Sequence, residues 1–308
     1  MVNVAILGFG TVGSGVAEVL TTNGGLIDHR VNDLVRLKYI VDVRDFPDSP
    51  YADLFVKNFA VPENDPELDI VVETIGGATI ALDFTTRALK AGKSVVTSNK
   101  ELVATHGYEL LQLAKEHGCS YLFEASVGGG IPILRPLTSC LAANRLEQVT
   151  GILNGTTNYI LTRMIRAGLT FDQALAEAQA NGYAEKDPTA DVDGHDACRK
   201  ICILAALAFG RHVYPDQVAT QGIRGVTLED VAYADSVGCK IKLLGRAIRQ
   251  PQDKVCAFVA PHLVPGDNPL SGVEDVFNAI SVTGNAIGDA MFYGRGAGKL
   301  PTASAVVA

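Results

Sequence analysis

The sequence predicts an α/β fold: a doubly wound parallel sheet, then an α+β part. Over residues 1–130, short apolar stretches alternate with helical patterns across brief glycine turns, the rhythm of strand–helix–strand units. From residue 131 the rhythm changes to helices and longer alternating strands, which favour a mainly antiparallel sheet with helices on one face. A chain of 308 residues is long for a single domain. The expectation is therefore one domain over 1–130, with the segment 286–308 packing back on it, and a second over 131–285.

The first element is "VNVAILGFGTVGSGVAEVL", a short apolar strand, a glycine turn and a helix with Val12, Val16, Val19 and Leu20 on one face. Gly8, Gly10 and Gly13 make G-x-G-x-x-G in the strand–turn–helix context that a dinucleotide fingerprint requires. The first glycine allows the tight turn, the second lets backbone approach a pyrophosphate, and the third lets helix and strand pack closely. Phe9, Thr11 and Val12 belong to the same loop. The next strand, "LVRLKYIVDVRD", should end near Asp42, placed to accept hydrogen bonds from an adenosine ribose, as for NAD. Arg44, two residues on, could instead meet the 2′-phosphate of NADP, so the choice stays open. The insertion "TTNGGLIDHRVND" accounts for the late position of Asp42.

Three further strands follow: "LDIVVETIGG" ahead of "TIALDFTTRALKAG", "KSVVTSNKELVATHG" running into a helix, and "CSYLFEASVGGGIP". Ligands of such sheets collect at the carboxyl ends of the strands. That places Gly8–Gly13, Thr74–Ile75, Ser98–Lys100 and the 124–131 loop around one crevice. Lys100 opens a helix, where a cation opposes the dipole, which points to a ligand role. In the second part a strand near 146–153 precedes three helices, and "CKIKLLGRAIRQ", "KVCAFVAPHLVP" and "VEDVFNAISVTG" read as strands. Pro301 reads as opening a final helix.

Composition narrows the function. A net charge of −8 argues against nucleic acid or an anionic membrane as partner, since both select basic faces. No apolar run approaches a membrane span of about eighteen residues, and the chain begins directly with a strand, so a cytoplasmic protein is expected. Six cysteines without C-x-x-C spacing read as reduced core residues.

The stretch "DPTADVDGHDACRKICILAALAFG", 187–210, crowds acids ahead of an apolar helix, with Asp196 and Lys200 one turn apart. Three readings compete. One is a surface i,i+4 pair worth about 0.3–0.5 kcal/mol, with Asp193 as helix cap. Another is a metal site of Asp191, Asp193 and His195, which lacks the Gly and Glu positions of a calcium loop and has too few histidines for a transition metal. The third is a substrate pocket with its proton carrier. His195 is expected to pack or cap.

Six segments resemble one family, the homoserine dehydrogenases: "GFGTVGSGV", "TSNKELVA", "EASVGGGIPI", "ILNGTTNYIL", "NGYAEKDPTADVDGHDACRKICILA" and "YGRGAGKLPTASAVV". They run in order along nearly the whole chain. The resemblance implies a Rossmann-type domain plus a substrate and dimerisation domain, a homodimer, and NAD(P)-dependent interconversion of L-homoserine and L-aspartate 4-semialdehyde in threonine and methionine biosynthesis. It implies Lys200 as proton donor and acceptor with Asp196 beside it, and Lys100 as a second active-site lysine. Glu185, Asp191, Gly182 and Thr156 fall on the substrate side, and Gly296 with the cofactor. In the "EASVGGGI" loop, Glu124 and the carbonyls of Val127, Gly129 and Ile131 resemble a sodium site; such oxygen donors suit a hard cation. Many members continue into a regulatory domain after "PTASAVV", so this sequence reads as a short form without that feedback. The acids Asp45 and Asp48 after Arg44 tilt the reading toward NAD or dual use.

The residues suit the chemistry. Oxidising an alcohol by hydride transfer needs a base for the hydroxyl proton, and a lysine serves best when its pKa is brought toward working pH. Burial and a second cation, Lys100, would lower Lys200; Asp196 would raise it. The zwitterionic substrate needs acids for its ammonium, Glu185 and Asp191, and lysines for its oxygens. Three alternatives remain: a phosphorylating aldehyde dehydrogenase, a related amino-acid semialdehyde dehydrogenase, and a non-catalytic dinucleotide sensor. The first needs an activated cysteine, and none lies at a glycine-rich helix start. The sensor needs no acid–lysine cluster.

Overall fold

β1, Val2–Leu7, is buried at every position after its first, as a central parallel strand covered on both faces must be. Around it the first part of the chain runs α1 Thr11–Thr22, α2 Gly24–Val31, β2 Val35–Val41, β3 Phe55–Val56, α3 Ala60–Glu63, β4 Ile70–Glu73, α4 Thr79–Lys90, β5 Ser94–Thr97, α5 Lys100–Glu116 and β6 Tyr121–Leu122. The sheet is parallel throughout, in the order β3-β2-β1-β4-β5-β6. That is the Rossmann order, and its direction reverses between β1 and β4. The computed structural model describes all 308 residues, and its contacts divide them into Met1–Gly130 with Gly298–Ala308, and Ile131–Ala297.

The insertion before β2 folds as α2. It ends at Asn32 in the left-handed region (φ 54°), and Asp28 ties it down by accepting Val35 N–H and Arg36. The strand expected across 119–132 shrinks to Tyr121–Leu122. Gly128 and Gly129 both have positive φ, which no strand can continue through.

Residues 131–297 hold β7 Leu146–Ile152, α6 Gly155–Ala167, α7 Phe171–Ala180, α8 Thr189–Val192, α9 His195–Phe209, β8 Ala219–Thr220, α10 Leu228–Ser236, β9 Cys239–Arg249, β10 Val255–Pro265, β11 Phe277–Gly284 and β12 Gly288–Arg295. The sheet order is β12-β11-β7-β9-β10-β8; every pairing is antiparallel except β8 with β10. Helix α9 lies directly on it: a Cβ on Gly245 of β9 would meet the Ile201 Cβ at 3.2 Å. On the opposite face Ile152, Leu244, Val264, Leu270, Val273 and Ala279 form a second apolar layer. Asn154 caps α6, and capping boxes start α7 and α10.

The tail does not act as one segment. Residues 288–295 alternate in exposure and pair with β11, so the glycine-rich stretch read as packing back on the first domain is instead the edge strand of the second sheet. Only α11, Lys299–Val307, joins the first unit. It starts two residues before Pro301. Gly15 of α1 lets it approach closely, since a Cβ there would lie 2.9 Å from Lys299 O, and Ala303 and Val306 complete the core with Val4, Ile6, Val16 and Val72.

The cysteine expectation needs correction too. All six are free, but only Cys198 and Cys202, both on α9, are buried, while Cys140 and Cys256 are exposed. No helix is long and apolar enough to cross a membrane.

Candidate active site

In the first unit, the predicted cofactor residues gather at the carboxyl ends of β1, β2, β4 and β5. The glycine fingerprint is spatially strict. A Cβ on Gly13 would sit 1.9 Å from Gly8 O, whereas Gly10 faces open space. Gly10 is the N-cap of α1; no side chain caps this end, and no acid occupies its first turn. The positive end of the helix dipole is therefore left for an anion. Thr74 Oγ1 donates to Gly8 O at 2.8 Å, fixing the turn against the next loop.

Asp42 follows β2 directly, but its carboxylate is already occupied. Oδ2 accepts Phe9 N–H (2.7 Å) and Arg44 Nη2 (2.9 Å); Oδ1 accepts Arg44 N–H (2.9 Å) and Nε (3.0 Å). The Arg44 guanidinium holds the Asp42 carboxyl well below the usual carboxylate range. The two residues read as rival cofactor determinants are thus one ion pair, and a ribose diol would have to displace the arginine. A second cation was not found from sequence: Lys57 donates to Val43 O and Arg44 O and pairs with Asp45. Nothing in its sequence neighbourhood marks it. Asn99 caps α5, so Lys100 is the first residue of that helix, as expected. Glu124 opens a single 3-10 turn, and Val127 is fully buried ahead of the two positive-φ glycines.

In the second unit the acidic stretch folds inward. Asp196 and Lys200 are 3% and 7% exposed, which removes the surface-pair reading. Lys200 Nζ donates to Asp196 Oδ2 at 2.6 Å and to Leu153 O at 2.7 Å. Asn154, missed from sequence, joins the cluster: its Nδ2 donates to Asp191 Oδ1 (2.7 Å) and Asp196 Oδ2 (2.9 Å), while its Oδ1 accepts Thr157 N–H and caps α6. An asparagine at a cap ahead of Gly-Thr-Thr was the available signal. Asp191 is partly exposed, so the network runs from a buried lysine to an accessible carboxylate.

Other predicted members sit at the rim. Thr156 Oγ1 donates to Tyr183 O at 2.7 Å, anchoring the Gly182–Glu185 turn; Gly182 has φ 73°, and Glu185 is exposed with its carbonyl held by Gln179. Asp193 is not the cap of α9. Gly194, at φ 85°, takes that place, and Asp193 pairs with Arg224 at 2.5 Å. His195 is exposed at the first position of α9 rather than packed. No cluster of three or more His, Cys, Asp or Glu is arranged to hold a metal. Gly296 presses on Asn278, whose Nδ2 would lie 2.0 Å from a Cβ there.

A family model described as homoserine dehydrogenase matches residues 132–308, and one described as homoserine dehydrogenase, NAD binding domain, matches residues 8–124. The chain belongs to the homoserine dehydrogenase family. The homoserine dehydrogenase of Bacillus subtilis is 44% identical over 311 residues, covering 99% of this chain and 71% of that protein. The crystal structure of a homoserine dehydrogenase from Thiobacillus denitrificans superposes with a TM-score of 0.96 at 43% identity, over 99% of this chain and 71% of that one. A hyperthermophilic archaeal homoserine dehydrogenase in complex with NADPH gives 0.84 at 29% identity, over 99% and 95%. The match to the NAD binding domain thus covers residues 8–124, and the Lys200–Asp196–Asn154 cluster lies within the second match, residues 132–308.

Proposed function

We propose that the protein interconverts L-homoserine and L-aspartate 4-semialdehyde with NAD(P), a step of threonine and methionine biosynthesis, and that Lys200 carries the proton. The observation behind this is the buried Lys200–Asp196–Asn154–Asp191 network. The carboxylate and the Leu153 carbonyl fix the direction of the ammonium, and a lysine is a donor at each of its hydrogens. In the oxidative direction the hydroxyl proton passes to the lone pair of Lys200 in its neutral amine form as the carbon loses hydride; in the reductive direction the ammonium form of Lys200 returns it. The bound nicotinamide supplies the hydride acceptor. Asp191 and Glu185 answer the substrate ammonium, the Thr156–Tyr183 bond sets the turn that carries Glu185, and Lys100 serves as the second active-site cation.

The Asp42–Arg44 pair supports use of both cofactors. Arg44 can leave Asp42 for a 2′-phosphate, with Lys57 beside it, or yield Asp42 to a ribose. The NADPH-bound archaeal relative supports the first mode. The Glu124–Gly129 loop fits a sodium ion in that its positive-φ glycines turn successive carbonyls, all hard donors. A homodimer is supported by the part of the sheet face opposite α9 that lies beyond the Leu244–Val273 apolar layer. Gly245 points at α9, so its neighbours on the other face, Arg246 and Phe258, point away, in line with Ser281 and the exposed Met291.

The test is homoserine-dependent reduction of NAD+ and NADP+ by wild type and Lys200→Ala. Wild-type turnover with a loss of roughly a hundredfold or more in kcat is expected. A folded, dinucleotide-binding wild type without turnover would overturn the reading.

A further inference from the structure

Glu73 is the last residue of β4 and has no solvent exposure, although it stands at the edge of the sheet where ligands collect. Neither the cofactor reading nor the substrate reading uses it. In register it lies between Leu7 on β1 and Thr97 on β5. Oε1 accepts the Ile75 N–H at 2.7 Å, and Oε2 accepts the Thr97 hydroxyl at 2.5 Å. Thr97 Oγ1 itself accepts the Asn99 N–H at 2.9 Å, so its single hydrogen is committed to Glu73. Asn99 closes the ring. Its Nδ2 donates to Ile75 O (3.1 Å) and Gly77 O (2.7 Å), while its Oδ1 caps α5 at Leu102 N (3.1 Å).

Together these bonds join the loop after β4 to the loop after β5. The first loop carries Thr74 and Ile75; the second carries Ser98 and Lys100. A buried carboxylate is a costly way to make a merely structural tie, since burial pushes Glu73 up to about 7, and an apolar side chain would avoid that cost. What the carboxylate provides is two strong acceptors fixed in one rigid plane, matched to donors from two different loops.

We infer that Glu73 is a positioning residue for hydride transfer: its carboxylate locks loop Thr74–Gly77 to loop Thr97–Lys100, presenting them to the dinucleotide as one preformed surface. This rests on the reading of those loops as dinucleotide contacts. Glu73 touches no reactant. Its influence runs through the Ile75 amide on one side and, on the other, through Thr97 and Asn99 to the helix turn that begins at Lys100. Replacing it by glutamine keeps one acceptor for the Ile75 amide but exchanges the charge-assisted bond from Thr97 for a neutral one in which the hydroxyl must reverse and accept, which weakens the ring on that side.

The experiment uses the full chain as wild type, Glu73→Gln, Thr97→Val and Thr97→Ser. Amide hydrogen exchange of peptides spanning 74–78 and 97–102 is followed without ligand, and the Kd for NAD+ is measured without homoserine. Glu73→Gln and Thr97→Val are expected to speed exchange in both segments together and to weaken NAD+ binding about tenfold, the scale of one net hydrogen bond. Thr97→Ser, which keeps the hydroxyl, is expected to match wild type in both measurements. If Glu73→Gln does not fold, the Thr97 pair carries the test alone. Unchanged exchange, or faster exchange in only one segment, overturns the lock. Faster exchange in both segments with an unchanged Kd shows instead that these loops are not the dinucleotide surface, and the positioning role falls with that reading.

Discussion

Asn154 and Lys200 share one acceptor: Asp196 Oδ2 takes a hydrogen bond from Asn154 Nδ2 at 2.9 Å and from Lys200 Nζ at 2.6 Å. The asparagine therefore fixes the orientation of the carboxylate that holds the lysine, and through its second amide hydrogen it does the same for Asp191. It also caps α6, so two functions rest on one side chain.

These functions separate by mutation. Asn154→Ala should lower kcat/KM for homoserine ten- to hundredfold, the range expected for losing a hydrogen bond to a charged partner, about 1.5–3 kcal/mol. It should also cost roughly 1 kcal/mol of stability through the lost cap. Asn154→Ser keeps a capping oxygen but cannot bridge two carboxylates, so its melting temperature should return toward wild type while activity stays low. Recovery of activity in the serine variant would show that the bridge is irrelevant to turnover.

On the proposed reading, the occupied Asp42 carboxylate would make Arg44 the point at which cofactor choice is set. Arg44→Ala leaves Asp42 with two backbone partners, the Phe9 amide and the amide of residue 44, so that the carboxylate is open to ribose hydroxyls, and removes a partner for a 2′-phosphate. The ratio of kcat/KM for NAD+ over NADP+ should rise by about tenfold or more, because charge-assisted hydrogen bonding then favours the ribose and no longer the phosphate. Parallel initial-rate measurements with both cofactors decide it; an unchanged ratio would place the discrimination elsewhere.

How much of this could be read from residues alone depended on whether the signal was local. The parallel sheet was legible because a doubly wound strand is an apolar run and its turn a glycine, both visible within one short stretch. Lys200 and Asp196 were legible as a helical i,i+4 pair, though whether they were buried was not, since burial is decided by Leu153 and Asn154, more than forty residues away. Asp42 and Arg44 were both found, but their mutual ion pair was not, because two residues can serve a ligand or each other with the same spacing. Asp193 was misplaced as a cap by one residue, where Gly194 supplied a left-handed conformation that only the backbone reveals. Residues 288–295 were misassigned because a strand rich in glycine carries little apolar periodicity. Glu73 was invisible for a different reason: within "VVETIGG" a charged residue at a strand end looks exposed until its neighbours on β1 and β5 are in place.

Glu73 also makes a prediction about stability. Its carboxyl is raised from 4.5 to about 7 in the folded protein, chiefly by burial. Between these values the folded state holds a proton that the unfolded state has released, so stability falls as pH rises from about 4.5 to 7 and stays lowered above that. The penalty is about 3 kcal/mol, taking 1.36 kcal/mol per pKa unit. The buried Tyr121 facing it from β6 titrates far above this window. Urea midpoints of wild type should therefore drop relative to Glu73→Gln between pH 5 and 8. A constant difference across that range would mean that Glu73 is not the titrating group.

Lys242 should show the opposite slope. It sits in β9, 1% exposed, donating to Asn158 Oδ1 and Val273 O, and Asn158 in turn holds the carbonyls of Val273, Asp275 and Phe277 with its amide. The lysine thus supports the chain segment that packs on Gly155, where a Cβ would lie 2.6 Å from Val276 O, next to the Asn154 cap. Burial first, with the repulsion of Lys240 added, brings its pKa from 10.5 down to about 8. Below pH 8 the folded state bears the full cost of a buried ammonium. Between about 8 and 10.5 it has lost a proton that the unfolded chain still binds, so stability rises with pH over that window, by about 3 kcal/mol in all. Lys242→Met removes this titration and leaves Asn158 Oδ1 unpaired, at about 1–3 kcal/mol. Wild type should therefore gain on the methionine variant as pH is raised from 8 to 10, read as the difference in urea midpoints at each pH. Parallel curves would show that the buried amine does not titrate there, and that the segment at Gly155 is held by Asn158 without it.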